Sequence, residues 1–205
     1  AQAGRDESEI TIVAASKYVG TEGILEAYEA GIKHFGENRV QDALDKIENC
    51  PDDIKWHFIG HLQRNKVTKV IGKFEFIHSV DSFRLAEKIQ QVAEDNGIVQ
   101  KIMLEVNISG EDSKFGLESD VVMKLVDEVV SQPNLALTGL MTMAPFTEDE
   151  AQIRPVFKSL RRLRDDIETR FDAKLPNLSM GMTNDWQIAI EEGATHLRIG
   201  SAIFK

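Results

Sequence analysis

The sequence contains one cysteine, Cys50, and therefore cannot form an internal disulfide. So little cysteine is typical of a protein kept in a reducing compartment, and we expect a cytoplasmic location. No apolar stretch approaches the roughly 18 residues that a membrane helix needs. Residues 1–9 are polar and charged, without an apolar run of the signal-peptide type. We therefore expect neither a membrane segment nor a secretory leader.

Basic residues are also scarce. The chain has 24 Lys and Arg against 34 Asp and Glu, a formal net charge of −10. A broad nucleic-acid-binding surface needs a basic face, so we expect no nucleic-acid partner. A small anion held in a local pocket remains compatible with this charge.

The 205 residues contain only five prolines, and no Pro- or Gly-rich linker divides them. A chain of this length forms one large domain or two small ones. Without a linker, we predict a single domain over 1–205. Residues 1–8 are expected to be a peripheral or poorly ordered segment of it.

Strand-like and helix-like patterns alternate along the whole chain. Apolar, β-branched segments predict strands, and segments with one apolar face predict helices. The predicted strands are 10–17, 34–38, 56–60, 74–80, 101–107, 135–143, 178–182 and 196–204. The predicted helices are 21–31, 39–49, 64–72, 83–96, 120–131, 148–171 and 184–192.

Eight strands joined by seven helices are typical of a (β/α)₈ TIM barrel, an α/β fold. A doubly wound open sheet alternates in the same way, but no Gly-x-Gly-x-x-Gly follows the first strand, so we favour the barrel. No residues remain after the eighth strand for an eighth helix. We expect the outer ring of helices to be open at that point.

Lys17 stands at the end of the first predicted strand. The C-terminal ends of the strands carry the active site of a TIM barrel. A lysine that closes a buried strand is unusual, because burial of an ammonium is costly. The neutral amine favoured there is the form that attacks a carbonyl carbon to make a Schiff base. The commoner alternative is a lysine that extends into solvent.

Two glycine-containing segments, 179–185 and 198–202, predict an anion site. Glycine lets backbone N–H groups approach a phosphate, hydroxyls add donors, and the loops after strands 7 and 8 are the usual phosphate site of a barrel. A glycine turn with helix caps is the alternative. Arg198 lies inside an apolar strand, where a guanidinium needs acceptors. These acceptors would come from a ligand, from Glu105 in an ion pair, or from both.

We predict no metal site. His57 and His61 have the i, i+4 spacing of helical zinc ligands, but His57 lies in a predicted strand. A different class of barrel, an isomerase acting on phosphorylated sugars, would need a carboxylate as general base at a strand end. Glu37 is the candidate for that role.

Six motifs in chain order resemble the YggS/PROSC family of pyridoxal phosphate homeostasis proteins. They are Ala-Ala-Ser-Lys17, Phe-Gly-Glu-Asn-Arg-Val-Gln41, Trp-His-Phe-Ile-Gly-His-Leu-Gln-Arg-Asn-Lys66, Gly-Leu-Met-Thr-Met-Ala144, Leu-Ser-Met-Gly-Met-Thr-Asn-Asp185 and Arg-Ile-Gly-Ser-Ala-Ile-Phe204. The resemblance implies a single-domain, fold-type III pyridoxal 5′-phosphate (PLP) barrel like the N-terminal domain of alanine racemase. It implies that Lys17 holds PLP as a Schiff base.

The resemblance also assigns the remaining cofactor contacts. Arg198 should face the pyridine nitrogen; because arginine is always charged, it leaves that nitrogen unprotonated and the ring a weaker electron sink. The phosphate should be held by Gly200, Ser201, Thr183 and the backbone of Met180 and Gly181. Asn38 and Ser179 should lie beside the cofactor.

The sequence departs from the racemases. Alanine racemase has a second, β-rich domain and takes a catalytic tyrosine from its dimer partner. Tyr18 and Tyr28 are the only tyrosines here, and neither has that context. Two-base racemisation is therefore disfavoured. The resemblance implies a role in vitamin B6 and amino-acid/keto-acid homeostasis, as a carrier rather than an enzyme. We expect a monomer with PLP and apo-forms of PLP enzymes as partners. The alternative is a single-domain, racemase-like enzyme with Lys17 as its only base.

Overall fold

Eight parallel strands close into a barrel in the computed structural model, which describes residues 4–110 and 115–204. Each strand pairs with the next in the chain, and the last pairs with the first. The strands are β1 Thr11–Ala15, β2 His34–Glu37, β3 Lys55–Phe58, β4 Phe76–Val80, β5 Gln100–Glu105, β6 Leu135–Met141, β7 Asn177–Ser179 and β8 His196–Ile199. The TIM barrel predicted from the strand count is confirmed.

One α-helix follows each of the first seven strands. The helices in the described residues are α1 Thr21–Glu29, α2 Val40–Glu48, α3 Val67–Val70, α4 Phe83–Asp95, α5 Ser119–Val129, α6 Glu150–Phe171 and α7 Trp186–Glu191. Short 3₁₀ turns at Glu7–Glu9 and Arg64–Lys66 precede β1 and α3. Each helix has an apolar stripe that packs against the outer face of the barrel, as the 3.6-residue period of its apolar residues predicts.

The last two strands are shorter than predicted. The predicted strands 178–182 and 196–204 already end at Ser179 and Ile199. Gly181 has a φ of +94°, a left-handed conformation that turns the chain away from the sheet. After β8, the carbonyl of Gly200 accepts hydrogen bonds from the N–H groups of Ile203 and Phe204, which closes a helical turn. Both ends therefore leave loop backbone at the mouth of the barrel.

In the described residues, no helix covers the outer faces of β8 and β1. No helix follows β8 in the part of the chain described, and a groove of about 780 Å³ lies over the outer faces of the two strands and along α7. Ile12 on β1 is 48% exposed there. The guanidinium of Arg5 donates to the carbonyls of Ile190 and Ala194 at one side of the groove. Residues 4–8 thus lie on the outside of the barrel; residues 1–3 are outside the described ranges.

The longest described helix, α6, carries charged side chains along its length and so is not an apolar segment. None of the other helices in residues 4–110 and 115–204 is long and apolar enough to cross a bilayer either.

The close approach of β6 to β7 depends on Gly139. A Cβ at this position would lie 1.9 Å from the carbonyl oxygen of Asn177, which is backbone and cannot move aside cheaply. We expect Gly139→Ala to lower the free energy of unfolding by about 3 kcal/mol, the upper range for overpacking. Urea denaturation followed by circular dichroism measures this.

The matched control is Gly20→Ala. Gly20 has a φ of −77° and no atom within 4 Å of an added Cβ, so we expect a loss of less than about 1 kcal/mol. An equal loss for both variants would contradict the close approach to Asn177 as the reason for a glycine at position 139.

Candidate functional site

A cavity of about 440 Å³ opens at the C-terminal ends of the strands. Its wall is formed by the segments that follow β1, β6, β7 and β8. It brings together five of the nine predicted site residues: Lys17, Thr183, Arg198, Gly200 and Ser201. Tyr18 and Phe146, which are 88% and 93% exposed, stand at the same mouth.

Lys17 is exposed, in agreement with the alternative of a lysine that extends into solvent, and the expectation of a buried lysine at the end of a strand is wrong. β1 ends at Ala15, and the carbonyl of Ser16 accepts a hydrogen bond from the N–H of Val19, so Lys17 lies on a turn. Its Nζ lies 5.1 Å from the centroid of the Tyr18 ring. The amine therefore borders the cavity and is open to a ligand that enters from solvent.

A buried ion pair holds the turn that carries Lys17. Lys46 Nζ lies 2.7 Å from Glu37 Oε1 and donates to the carbonyl of Ser16 at 2.8 Å. The hydroxyl of Ser16 donates to the same Glu37 oxygen. All three residues are buried. Because Glu37 is fully buried and bound by these two donors, it is not placed to act as the general base that a sugar-phosphate isomerase would need.

Arg198 is buried, and its acceptors are neutral groups. Nη1 donates to Ser179 Oγ at 2.7 Å, and Nη2 donates to the carbonyl of Thr142 at 2.9 Å. Burial lowers the pKa of Arg198 to about 10, although the charges of Glu105 and Asp185 oppose this. The alternative of an ion pair with Glu105 is thus replaced by bonds to a hydroxyl and a carbonyl.

Glu105 affects Arg198 through its charge, which depends on whether its carboxyl group is protonated. Its side chain is buried at the end of β5. Burial and, to a smaller extent, the charge of Asp81 raise its pKa to about 7, while Arg198 acts in the opposite direction. A carboxyl group with this pKa is partly neutral near pH 7, so it compensates only part of the charge of Arg198.

The first residues of the segment 179–185, which was predicted to form an anion site, are buried in the barrel interior. Ser179 and Met180 are fully buried, and the N–H of Met180 donates to the carbonyl of His196. The carbonyl of Gly181 accepts the N–H of Arg198. These three predicted site residues lie outside the cavity wall.

Two hydroxyls remain at the predicted phosphate corner. Ser201 Oγ lies 3.3 Å from Thr183 Oγ1, beside Gly200. Asp185 also borders the cavity, with its carboxylate accepting the N–H of Met182. Burial raises the pKa of Asp185 above its ordinary value. The corner therefore offers donors for an anion next to one carboxyl group.

Asn38 directly follows β2 and is half-buried. Its backbone packs against Gly60, where an added Cβ would lie 2.4 Å from the carbonyl oxygen of Asn38. Asn38 is not part of the cavity wall, so its predicted place beside a cofactor ring is untested.

Sequence reasoning missed a row of three histidines inside the barrel. His34 Nδ1 lies 2.9 Å from His57 Nε2, and His57 Nδ1 lies 2.8 Å from His78 Nε2. His78 Nδ1 lies 2.8 Å from Ser179 Oγ, which also binds Arg198. The available signal was a histidine within each of the strands β2, β3 and β4, where an apolar residue is usual.

His57 and His61 are in different surroundings. His57 lies in the row inside the barrel, whereas His61 Nδ1 lies 3.0 Å from Asp81 Oδ2 at the mouth and stacks on Phe115. Their spacing in the sequence therefore does not bring them together.

The described residues thus form a parallel barrel with an amine, a buried arginine and a hydroxyl pair at its C-terminal mouth. The family described as "Alanine racemase, N-terminal domain" matches residues 5–205. A pyridoxal phosphate homeostasis protein of Aquifex aeolicus is 46% identical over 204 residues, covering 99% of this chain and 90% of the relative. The human pyridoxal phosphate homeostasis protein is 40% identical over 207 residues, covering 94% and 75%. The chain therefore belongs to the pyridoxal phosphate homeostasis protein family, within the alanine racemase N-terminal domain class.

Solved structures agree with this assignment. PipY of Synechococcus elongatus without PLP has a TM-score of 0.93 and 34% identity, covering 100% of this chain and 96% of that chain. PipY with PLP bound has a TM-score of 0.91 and 33% identity over the same shares. An alanine racemase of Clostridium difficile, with a TM-score of 0.83 and 13% identity, covers 97% of this chain and 53% of that chain, and shows the fold alone.

The ion pair of Lys46 with Glu37 makes a testable contribution to stability. Lys46→Met would leave a buried carboxylate without its partner, and we expect the free energy of unfolding to fall by about 3–5 kcal/mol. The double variant Lys46→Met, Glu37→Gln removes the charge as well and should recover part of the loss. Urea denaturation of the variants measures both effects.

The control is Lys33→Met, which removes an exposed ion pair with Asp53. We expect little change there, because solvent screens exposed pairs. Equal losses for the buried and exposed lysines would contradict the role assigned to Lys46.

Proposed function

We propose that this protein binds PLP at the mouth of the barrel and serves in intracellular vitamin B6 and amino-acid/keto-acid homeostasis. The observation that carries the proposal is the meeting of the Lys17 amine, the Arg198 guanidinium and the Thr183–Ser201 hydroxyl pair in one cavity. The PLP-bound structure of PipY, a 33% identical neighbour, supports it.

The residues at the cavity fit such a cofactor. A volume of about 440 Å³ falls within the usual range for small-molecule sites. A primary amine bonds to an aldehyde carbon with loss of water, which is the role of Lys17. The hydroxyls of Thr183 and Ser201 and the open backbone at Gly200 offer donors to a phosphate.

Arg198 supplies a fixed positive charge. When bound, PLP provides an electron sink whose strength depends on protonation of its ring nitrogen. A guanidinium facing that nitrogen keeps it unprotonated, since arginine has donors and no acceptor. The residues of this chain therefore favour safe retention of a reactive aldehyde over stabilisation of a carbanion.

The positions of the two tyrosines support a carrier rather than a racemase. Tyr28 bonds Asp53 on the outside of the barrel. Tyr18 borders the cavity, but it is on the same turn as Lys17 and so approaches from the same wall. Two-base racemisation needs proton donors on opposite faces of the substrate. The proposed partners are PLP itself and apo-PLP enzymes that receive it at the exposed mouth, with the protein acting as a cytoplasmic monomer.

The first experiment is a PLP titration followed by absorbance. The wild-type protein should develop a yellow band that collapses on borohydride reduction, with the pyridoxyl mass on Lys17 after peptide mapping. Lys17→Ala should lose the band and the label. The control is Lys55→Ala, an exposed lysine at the start of β3, which should keep both. A label on another lysine, or no band in the wild type, would reject the proposal.

The second experiment separates carrier from enzyme. PLP-loaded protein is incubated with the apo-form of a PLP-dependent aminotransferase, and we expect recovery of aminotransferase activity. In D₂O, a panel of amino acids should show no sustained exchange of the α-proton. Exchange that depends on Lys17 would instead identify a racemase-like enzyme.

A further inference from the structure

We infer that His78, with His57 and His34 behind it, forms a hydrogen-bonded column that positions Arg198 at the cofactor cavity through Ser179. The three histidines are positioning residues, since the column reaches the cavity only through the guanidinium. The last step of the inference, the effect on PLP, rests on the proposed function; the column itself does not.

The column crosses the interior of the barrel. It begins at His34, the first residue of β2, which is half-buried at the N-terminal end of the strands. It continues through His57 of β3 and His78 of β4, both fully buried, to Ser179 of β7. The successive contacts measure 2.9, 2.8 and 2.8 Å, followed by 2.7 Å from Ser179 to Arg198.

The direction of the hydrogen bonds follows from the donor inventory. Arginine carries only donors, so the Ser179 oxygen accepts from Arg198. The hydroxyl hydrogen of Ser179 then needs an acceptor, because an unpaired buried donor is costly. Among the hydrogen bonds of the described residues, His78 Nδ1 is the acceptor within reach. Ser179 therefore donates to His78.

The remaining protons are ordered by the same rule. If His78 Nδ1 accepts, a neutral His78 carries its proton on Nε2 and donates to His57 Nδ1. His57 in turn donates from Nε2 to His34 Nδ1. All three rings then have the Nε2–H tautomer. The opposite order would leave the buried hydroxyl of Ser179 accepting two hydrogen bonds with its own proton unpaired.

Neutral imidazoles suit this arrangement. Burial holds the pKa of His57 and His78 well below the ordinary range, and burial also lowers the pKa of His34. His196 packs beside the column, 5.9 Å from the ring centroids of both His57 and His78, but its Nδ1 bonds Thr195 instead. It therefore lies outside the chain of hydrogen bonds and serves as an internal reference.

The consequence for Arg198 is geometric. Its side chain is held at two points, by Ser179 and by the carbonyl of Thr142. A serine hydroxyl can rotate, whereas one that donates to His78 keeps its lone pair directed at Nη1. The column therefore removes the rotational freedom of the hydroxyl that holds the guanidinium before a ligand enters, which is preorganisation of the site.

The direct test needs no cofactor. The chain has five histidines, so long-range ¹H–¹⁵N spectra of the ligand-free protein resolve their tautomers and single variants assign them. At pH 7 we expect His34, His57 and His78 to be Nε2–H tautomers. An Nδ1–H tautomer at His78 would overturn the inference.

The second test uses PLP titration of variants. His78→Leu removes the acceptor. We expect PLP affinity to fall about tenfold, because the guanidinium is then no longer held in place before the ligand binds, with a shifted absorbance band and the label still on Lys17. His78→Asn places an amide oxygen near the position of Nδ1 and should restore affinity to within about threefold and return the band. The packing control is Phe76→Leu. The Phe76 ring stacks on His57 without a hydrogen bond, so its replacement should leave the affinity and the band unchanged.

The outcomes are distinguishable. Unchanged affinity and spectrum in His78→Leu, or no rescue by His78→Asn, would overturn the positioning role. If the wild type fails to bind PLP, the proposed function fails while the tautomer result still decides the column. If His78→Leu does not fold, the tautomers of the wild type decide the inference.

Discussion

The guanidinium of Arg198 is the constraint around which the interior of the barrel is arranged. A buried cation needs acceptors, and β7 and β6 provide them through Ser179 and Thr142. Ser179 is in turn bound by His78, and the row of histidines extends that bond across the barrel. This row of polar side chains is tolerated inside an apolar barrel because each of them has a hydrogen-bond partner. A network with unpaired polar groups would be less stable than an apolar core.

A second buried charge, on Lys46, stabilises the turn after β1 that borders the cavity beside β8. It joins α2 to the ends of β1 and β2 through Glu37 and Ser16. The two networks have different consequences. One fixes the backbone turn that presents Lys17, and the other fixes the side chain of Arg198. The mouth between them is left open and carries the exposed rings of Tyr18 and Phe146. A buried arginine held at two points below an open mouth leaves the cavity accessible to a ligand that enters from solvent.

Predictions succeeded where they depended on short-range patterns. The number and order of strands and helices follow from apolar periodicity, which the burial of one face dictates locally. Lys17, Thr183, Arg198, Gly200 and Ser201 border one cavity because the ends of parallel strands share one edge of the barrel, and their binding of a cofactor stays a prediction. The predictions that failed concern the burial of residues near strand ends, because the ends of β1 and β7 differ from the predicted ones. Lys17 is exposed because β1 ends at Ala15, and Ser179 and Met180 face inward because β7 is short.

The sequence by itself determined the eight-strand barrel, the lysine and arginine near its mouth and the family to which the chain belongs, since all three depend on residue type and order along the chain. Only the tertiary structure decided which polar groups are partners. His34 and Arg198 are separated by most of the chain, and their connection through His57, His78 and Ser179 depends on barrel closure, which brings the interiors of β2, β3, β4 and β7 into contact. Such contacts are set by the packing of whole strands, and no local pattern in the sequence carries them.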